Sequence, residues 1–232
     1  MPNSAPRDYL SVTYHSLRTP QTEYPVSLAR YLADKFVIKP GGKLLDLGCG
    51  RGDMLKAFNA MGMQCDAVDK IRSTVQNIDF CEIRIVDIEK ESLPFEDNYF
   101  DMVFSKSVIE HMWDPFPMMN EVRRVLQTGG LCIVMTPDWV SQMDFFYEDP
   151  THCRPYTLNT INDLLVMTGF ERSGATLFYQ HPYLWNSNCF RIIATTLRLF
   201  LKARHARWLT NKTKIKFFRW SIESMVLGWG IK

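Results

Sequence analysis

The sequence predicts an α/β protein: a doubly wound, seven-stranded, mostly parallel sheet with a basic helical insertion near the C-terminus. Three observations predict it. Short, near-continuous apolar runs alternate with helical patterns between residues 43 and 137. The first run stops in a glycine-rich turn, "LLDLGCGRGD" (44–53). Residues 185–220 hold nine Lys or Arg and no Asp or Glu.

The runs "KLLDLG" (43–48), "QCDAVDK" (64–70), "EIRIVDI" (82–88), "FDMVFSK" (100–106) and "GGLCIVMTP" (129–137) read as strands covered on both faces. Between them, residues 52–61 space Met54, Leu55, Phe58 and Met61 as a helix does, and 116–127 do so with Met118, Met119, Val122, Val125 and Leu126. Pro115 suits a first helical turn and Gly129-Gly130 a stop. Strands alternating with helices imply right-handed crossovers and a doubly wound sheet. After the loop 138–157, a helix is expected over about 157–168, ended by Gly169. "FERSGATLFY" (170–179) reads as a sixth strand and "SMVLGWGIK" (224–232) as the last. The expected organisation is a cap or lid over 1–40, a core over 41–184, the insertion over 185–222 and a returning strand over 223–232.

An apolar share of 46% supports a full core and excludes global disorder. The net charge of +2 names no partner. Six cysteines form no C-x-x-C pair, and His15, His181 and His205 show no ligand spacing, so no metal site and no disulfide framework are expected. There is no signal-peptide pattern at the N-terminus and no apolar run long enough to span a membrane, so the expected location is the cytoplasm.

Glycine admits positive φ and lets a ligand approach without meeting a Cβ. A strand, a glycine turn and a helix N-terminus together form a nucleotide crevice. Gly48, Gly50 and Gly52 miss the dinucleotide spacing, because the third glycine would fall at Asp53. Pyrophosphate would be repelled by Asp46 and Asp53. A phosphate-free, cationic nucleoside fits: S-adenosylmethionine carries a sulfonium, an ammonium, a ribose and an adenine. Asp69, closing the second strand, has acceptor sites enough for a ribose diol. Asp87, closing the third, could accept from an adenine amino group.

With these residues in view, the chain resembles the class I S-adenosylmethionine-dependent methyltransferases, which are Rossmann-like. "LLDLGCGRGD", "AVDK", "VDIEKESLPFEDNYFDMVFSKSVIEHMWDP" and "EVRRVLQTGGLCIVMTP" follow that family's order across about residues 25–180. The resemblance implies that Asp46, Gly48, Cys49 and Gly50 surround the methionine part. It implies Asp69 and Lys70 at the ribose, Ile71 against the adenine, and Asp87 and Ile88 binding the adenine. Ser105 and Lys106 would end the fourth strand near the methyl group. "IEHM", with Glu110 and His111, looks like a stretch of the subset acting on small molecules and glycans. "DPTHCRPYT" (149–157) resembles bacterial methyltransferases of surface-sugar or lipid-linked pathways.

Methyl transfer is an in-line displacement, so the protein must chiefly hold the reacting atoms in line. A hydroxyl acceptor also needs its proton removed. His152 is the first candidate base, with Asp149 orienting or replacing it and His111 a further candidate. Arg154, Tyr156 and Tyr14 are candidate substrate contacts. Within 190–201, Phe190, Ile193, Leu197 and Phe200 follow one helical face and Arg191, Arg198 and Lys202 another. That composition suits a helix packed on the core with a basic rim, or one lying at an anionic membrane face. The expected reaction is methyl transfer to a hydroxyl of a sugar, glycan precursor or lipid-linked intermediate. The alternatives are a quinone or other small aromatic acceptor, RNA, and a cofactor-binding regulator without chemistry. Nucleic acid is disfavoured, because the rest of the chain carries a net negative charge.

Overall fold

The structure is a computed structural model describing residues 22–71 and 78–232. Tyr14 lies outside the described residues, as do positions 1–21 of the expected cap.

The described chain opens with helix α1 (Tyr24–Phe36), which places Pro25 in its first turn and buries Leu28, Ala29 and Leu32. Strand β1 (Lys43–Leu47) and helix α2 (Asp53–Ala60) flank the glycine turn. Strands β2 (Gln64–Asp69), β3 (Ile83–Ile85) and β4 (Phe100–Lys106) follow. Helix α3 (Phe116–Val125) leads into β5 (Leu126–Pro137). The short α4 (Trp139–Gln142) and helix α5 (Leu158–Met167) precede β6 (Arg172–Tyr179). Helices α6 (Tyr183–Asn186), α7 (Asn188–Phe200), α8 (Ala203–Thr213) and α9 (Phe217–Ile222) separate β6 from β7 (Ser224–Ile231).

The strands form one sheet in the order β3-β2-β1-β4-β5-β7-β6. Successive residues alternate between its faces, as a pleat requires. Val134 and Cys132 join α3 and α5 in one apolar layer, which includes Met118, Val122, Ile161 and Leu165. Ile133 and Met135 join α1 and α2 in the other, with Leu28, Leu32, Leu55 and Phe58. The order reverses between β1 and β4, and such a switch point opens a crevice at the strands' carboxyl ends.

Three expectations need correction. The sheet is mixed rather than mostly parallel: β1 to β5 pair in parallel, but β7 runs antiparallel to both β5 and β6. The reason is where the chain leaves and returns. β6 ends opposite the start of β7, with Tyr179 beside Ser224, and Met225 pairs with Pro137 at the end of β5. The chain therefore re-enters at the rim it left and must run backward. The expected strand 82–88 shortens to Ile83–Ile85, because the chain turns as the Lys90 and Glu91 N–H groups donate to the Asp87 carbonyl. The fifth strand starts earlier than Gly129, at Leu126, across a register shift against β4.

The helices between β6 and β7 also depart from a simple amphipathic scheme. On α7 it is Ala194 that is buried, while Phe190, Ile193 and Phe200 are exposed. Two arginines expected on the polar face turn inward instead. Arg191 donates to the carbonyls of Leu184 and Trp185, and Arg198 to those of Ser221 and Ile222. Arg207 and Arg219 both pair with the fully buried Glu223. Four of the basic side chains thus hold the segment together rather than decorating it. Among the described residues, no helix is long and apolar enough to cross a membrane.

Candidate active site

The glycine turn sits at the switch point. Gly48, Gly50 and Gly52 all take positive φ (77°, 53° and 74°). At Gly48 a Cβ would come within 2.4 Å of Val108 Cγ2, so both the bend and the close packing demand glycine. The turn is tied to the end of β2 by one side chain. Asp69 accepts the Gly50 N–H on Oδ2 at 2.7 Å and the Ile71 N–H on Oδ1 at 3.0 Å. A carboxylate has about four acceptor positions, so Asp69 keeps capacity for a ligand's hydroxyls.

Asp46 stands beneath the turn, 3% exposed. Its Oδ2 has no hydrogen-bond partner in the protein. Burial, and then the neighbouring charge of Asp69, push its pKa up to about 7. A buried carboxylate oxygen without a donor is costly, and an ammonium would relieve the cost. Cys49 is buried as well, and burial pushes its thiol upward, away from reactivity. Asp87 pairs with Lys70 at 2.9 Å and with Lys90 at 3.2 Å. The Lys70 hydrogen bond leads in holding its carboxyl below the usual range.

Asp46, Gly48, Cys49, Gly50, Asp69, Lys70 and Asp87 line one cavity of about 610 Å³, a size suited to a small-molecule site. Ile71 and Ile88 line it too. Lys106, Glu110, His111 and His152 close its far side, and Tyr24 of α1 completes the wall. Glu110 is 1% exposed, and its Oε2 accepts from Thr136 Oγ1 at 2.9 Å. Burial pushes its pKa up to about 7. Burial also lowers the pKa of Lys106, against the pull of Glu110 and Asp46. The rings of His111 and His152 approach to 4.8 Å between centroids. Burial, then the His152 charge, lowers the pKa of His111. Asp149 stands behind them: the Thr151 hydroxyl donates to it at 2.6 Å and contacts His111 Nδ1 at 2.9 Å.

Three predicted residues lie elsewhere. Ser105 is buried within β4 and does not line the cavity, whereas its neighbours Lys106 and Ser107 do. Strand alternation sends the serine to the opposite face. Tyr156 is 2% exposed and belongs to the core, its backbone bridged to Asp138. Arg154 is exposed outside the cavity and donates to the Trp113 carbonyl. The half-buried Lys106 lines the cavity as the resemblance implied, whereas neither Glu110 nor Tyr24 was assigned a role there. For Glu110 the signal was its place beside His111 in "IEHM"; for Tyr24 it was its place in the expected cap over 1–40.

This sheet order, with its glycine turn and ring of acids at the switch point, matches the fold of solved methyltransferases. The family model described as "Methyltransferase domain" matches residues 45–134. The matched stretch holds the glycine turn, Asp46, Asp69 and Asp87. A 37.1 kDa protein encoded in a transposon of Streptomyces fradiae is 32% identical over 64% of this chain and 45% of its own length. A "Probable S-adenosylmethionine-dependent methyltransferase" of Mycobacterium tuberculosis is 29% identical over 55% of this chain and 48% of its own. The chain thus spans about half the length of the curated relatives it matches. Among solved structures, a SAM-dependent methyltransferase from Archaeoglobus fulgidus shares the fold, with a TM-score of 0.63, 20% identity and coverage of 96% of this chain and 100% of that one. Haemonchus contortus phosphoethanolamine N-methyltransferase 2, solved with S-adenosylhomocysteine, gives a TM-score of 0.65 at 18% identity, over 100% of this chain and 61% of that one.

Proposed function

We propose that the protein methylates a hydroxyl of a sugar, glycan precursor or lipid-linked intermediate. The observation that carries this reading is the shared cavity. The partnerless carboxylate oxygen of Asp46 and the paired imidazoles of His111 and His152 stand on its walls. When bound, S-adenosylmethionine supplies an electrophilic methyl carbon, whose bond to sulfur breaks with its electron pair staying on sulfur as the acceptor oxygen bonds to carbon. Asp46 would hold the ammonium, with the Gly48–Gly50 backbone and Cys49 packed around the methionine part. Asp69 would take the ribose hydroxyls beside Lys70. Ile71, Ile88 and Asp87 would hold the adenine. His152 would take the acceptor's proton, with His111 beside it and Asp149 orienting the pair through Thr151.

The helices between β6 and β7 support a lipid-linked acceptor. The ring centroids of Trp185 and Trp220 lie 6.0 and 5.6 Å from that of Tyr24, which lines the cavity. Ile192, Leu199, Phe200 and Trp208 are exposed on them, near Lys202, Arg204, Lys212 and Lys214. Apolar side chains among cations suit an anionic membrane surface. The test is labelled methyl donor incubated with cell extract. Label in a sugar- or lipid-containing product through an ether-linked methyl supports the reading; label confined to RNA, protein or an aromatic metabolite rejects it.

A further inference from the structure

Glu110, His111 and His152 each offer a ligand atom within 4.8 Å of the other two. Hydrogen bonds decide what the two imidazoles present. His152 Nδ1 meets the Phe146 carbonyl oxygen at 2.7 Å. A carbonyl only accepts, so Nδ1 carries the proton and Nε2 keeps a bare lone pair. Thr151 spends its hydroxyl proton on Asp149, at 2.6 Å. Its oxygen then accepts from His111 Nδ1, 2.9 Å away, so the nitrogen His111 would offer a metal is Nε2. Two such nitrogens beside a buried carboxylate present three electron-rich groups to one space.

Imidazoles whose second nitrogen is anchored to a carbonyl, or to a carboxylate through a hydroxyl, have the orientation and tautomer of metal ligands. Two imidazole nitrogens and one carboxylate oxygen suit zinc and its neighbours, and leave a coordination position open to an outside oxygen. Metal–ligand bonds of about 2.1 Å place two ligand atoms at most about 4.2 Å apart. At a tetrahedral angle they lie about 3.4 Å apart, so the widest pair, at up to 4.8 Å, must close by roughly 1.4 Å, a movement that side-chain rotation supplies.

We propose that Glu110, His111 and His152 form a binding site for a divalent transition-metal ion such as zinc or cobalt, at the acceptor end of the methyl-donor cavity. This departs from the sequence expectation of no metal. Adjacent Glu110 and His111 lie on a 3-10 turn, and the third ligand arrives 41 residues later on a folded-back loop, so no ligand spacing shows in the sequence. Only the ion's purpose rests on the reading above: with the ion bound, His152 would be a ligand, and the ion, by holding and acidifying the acceptor oxygen, would take over the role given there to His152 as base.

The test is a titration of the metal-stripped full chain with Co2+, read by visible d–d absorption and calorimetry. Binding of S-adenosylmethionine is measured in parallel. The expected result is one Co2+ per chain, with affinity lowered about tenfold or more in His111→Ala and in His152→Ala. Glu110→Gln, which keeps the side chain's shape, should weaken it too. Circular dichroism checks that each variant is folded, and Asp149→Asn gives a milder positioning variant should one fail. Absence of Co2+ binding by a wild-type chain that binds S-adenosylmethionine overturns the proposal, as does equal affinity in all folded variants. Failure to bind S-adenosylmethionine would instead overturn the donor assignment and leave the metal titration standing.

Discussion

The Gly50 N–H donates to Asp69 Oδ2 at 2.7 Å, fastening the glycine turn to the end of the neighbouring strand. Asp69 therefore has two jobs: it shapes the turn and faces the cavity. Asp69→Ala should weaken S-adenosylmethionine binding about a hundredfold, since a charged hydrogen-bond acceptor is worth roughly 1.5–3 kcal/mol. Asp69→Asn, which keeps one acceptor oxygen, should fall between. Calorimetry reads both; unchanged affinity in the alanine variant rejects the assignment.

Asp46 makes stability depend on pH. Burial holds its pKa at about 7 in the fold, against 3.8 for an ordinary aspartate. The fold therefore holds a proton that the unfolded chain releases. That stabilisation is complete below about pH 4 and is lost as pH rises through 7. The ligand-free protein should thus melt at lower temperature at pH 8 than at pH 5, and Asp46→Asn should flatten the slope while weakening S-adenosylmethionine binding. The gain at pH 8 is on the order of a few kcal/mol. A variant with an undiminished slope would show that other groups carry it.

His152→Ala should lower kcat about a hundredfold, the scale of a lost proton acceptor, and leave S-adenosylmethionine affinity within about twofold. Steady-state kinetics on the identified acceptor, with calorimetry for the donor, separates the two. A normal kcat removes His152 from the chemistry.

Arg207 bridges the buried Glu223 and the exposed Glu148, and its guanidinium lies 3.8 Å from the Phe145 ring centroid. Arg207→Ala leaves Glu223 to Arg219 alone and should cost about 2 kcal/mol in chemical denaturation. Arg207→Lys keeps the charge without the planar fork and should recover part of it. An unchanged midpoint would mean that Arg219 suffices.

The exposed basic and apolar side chains around α8 should draw the protein to vesicles containing phosphatidylglycerol and not to neutral ones. Reversing the contribution of Lys212 and Lys214 with a double alanine variant should weaken flotation about tenfold or more, at roughly 1 kcal/mol per basic residue. Equal flotation with both kinds of vesicle rejects the charge contribution.

The donor half of the site was legible because its residues sit at the ends of strands whose apolar runs are unmistakable. Asp46, Asp69 and Asp87 are each placed by β1, β2 or the turn just past β3, so reading the strands located the acids. Ser105 shows the limit of that reading. One position along β4 separates a buried side chain from the lining residue Lys106, and the apolar run does not reveal which faces the ligand. The acceptor half was only partly legible. His111 and His152 were each identified, but their approach depends on how the loop after β5 folds over a 3-10 turn. The direction of β7 was hidden because a strand's sequence carries no arrow. The inward turn of Arg191 and Arg198 was hidden because carbonyls at helix ends attract guanidinium groups without leaving a periodic trace.

The backward course of β7 makes the four helices before it a detour that begins and ends at one rim of the sheet. Such a detour is a cassette: its length and chemistry are free to drift while the donor-holding half keeps its geometry. The strand ends that place Asp46, Asp69 and Asp87 lie on the other half of the sheet and are untouched by such drift.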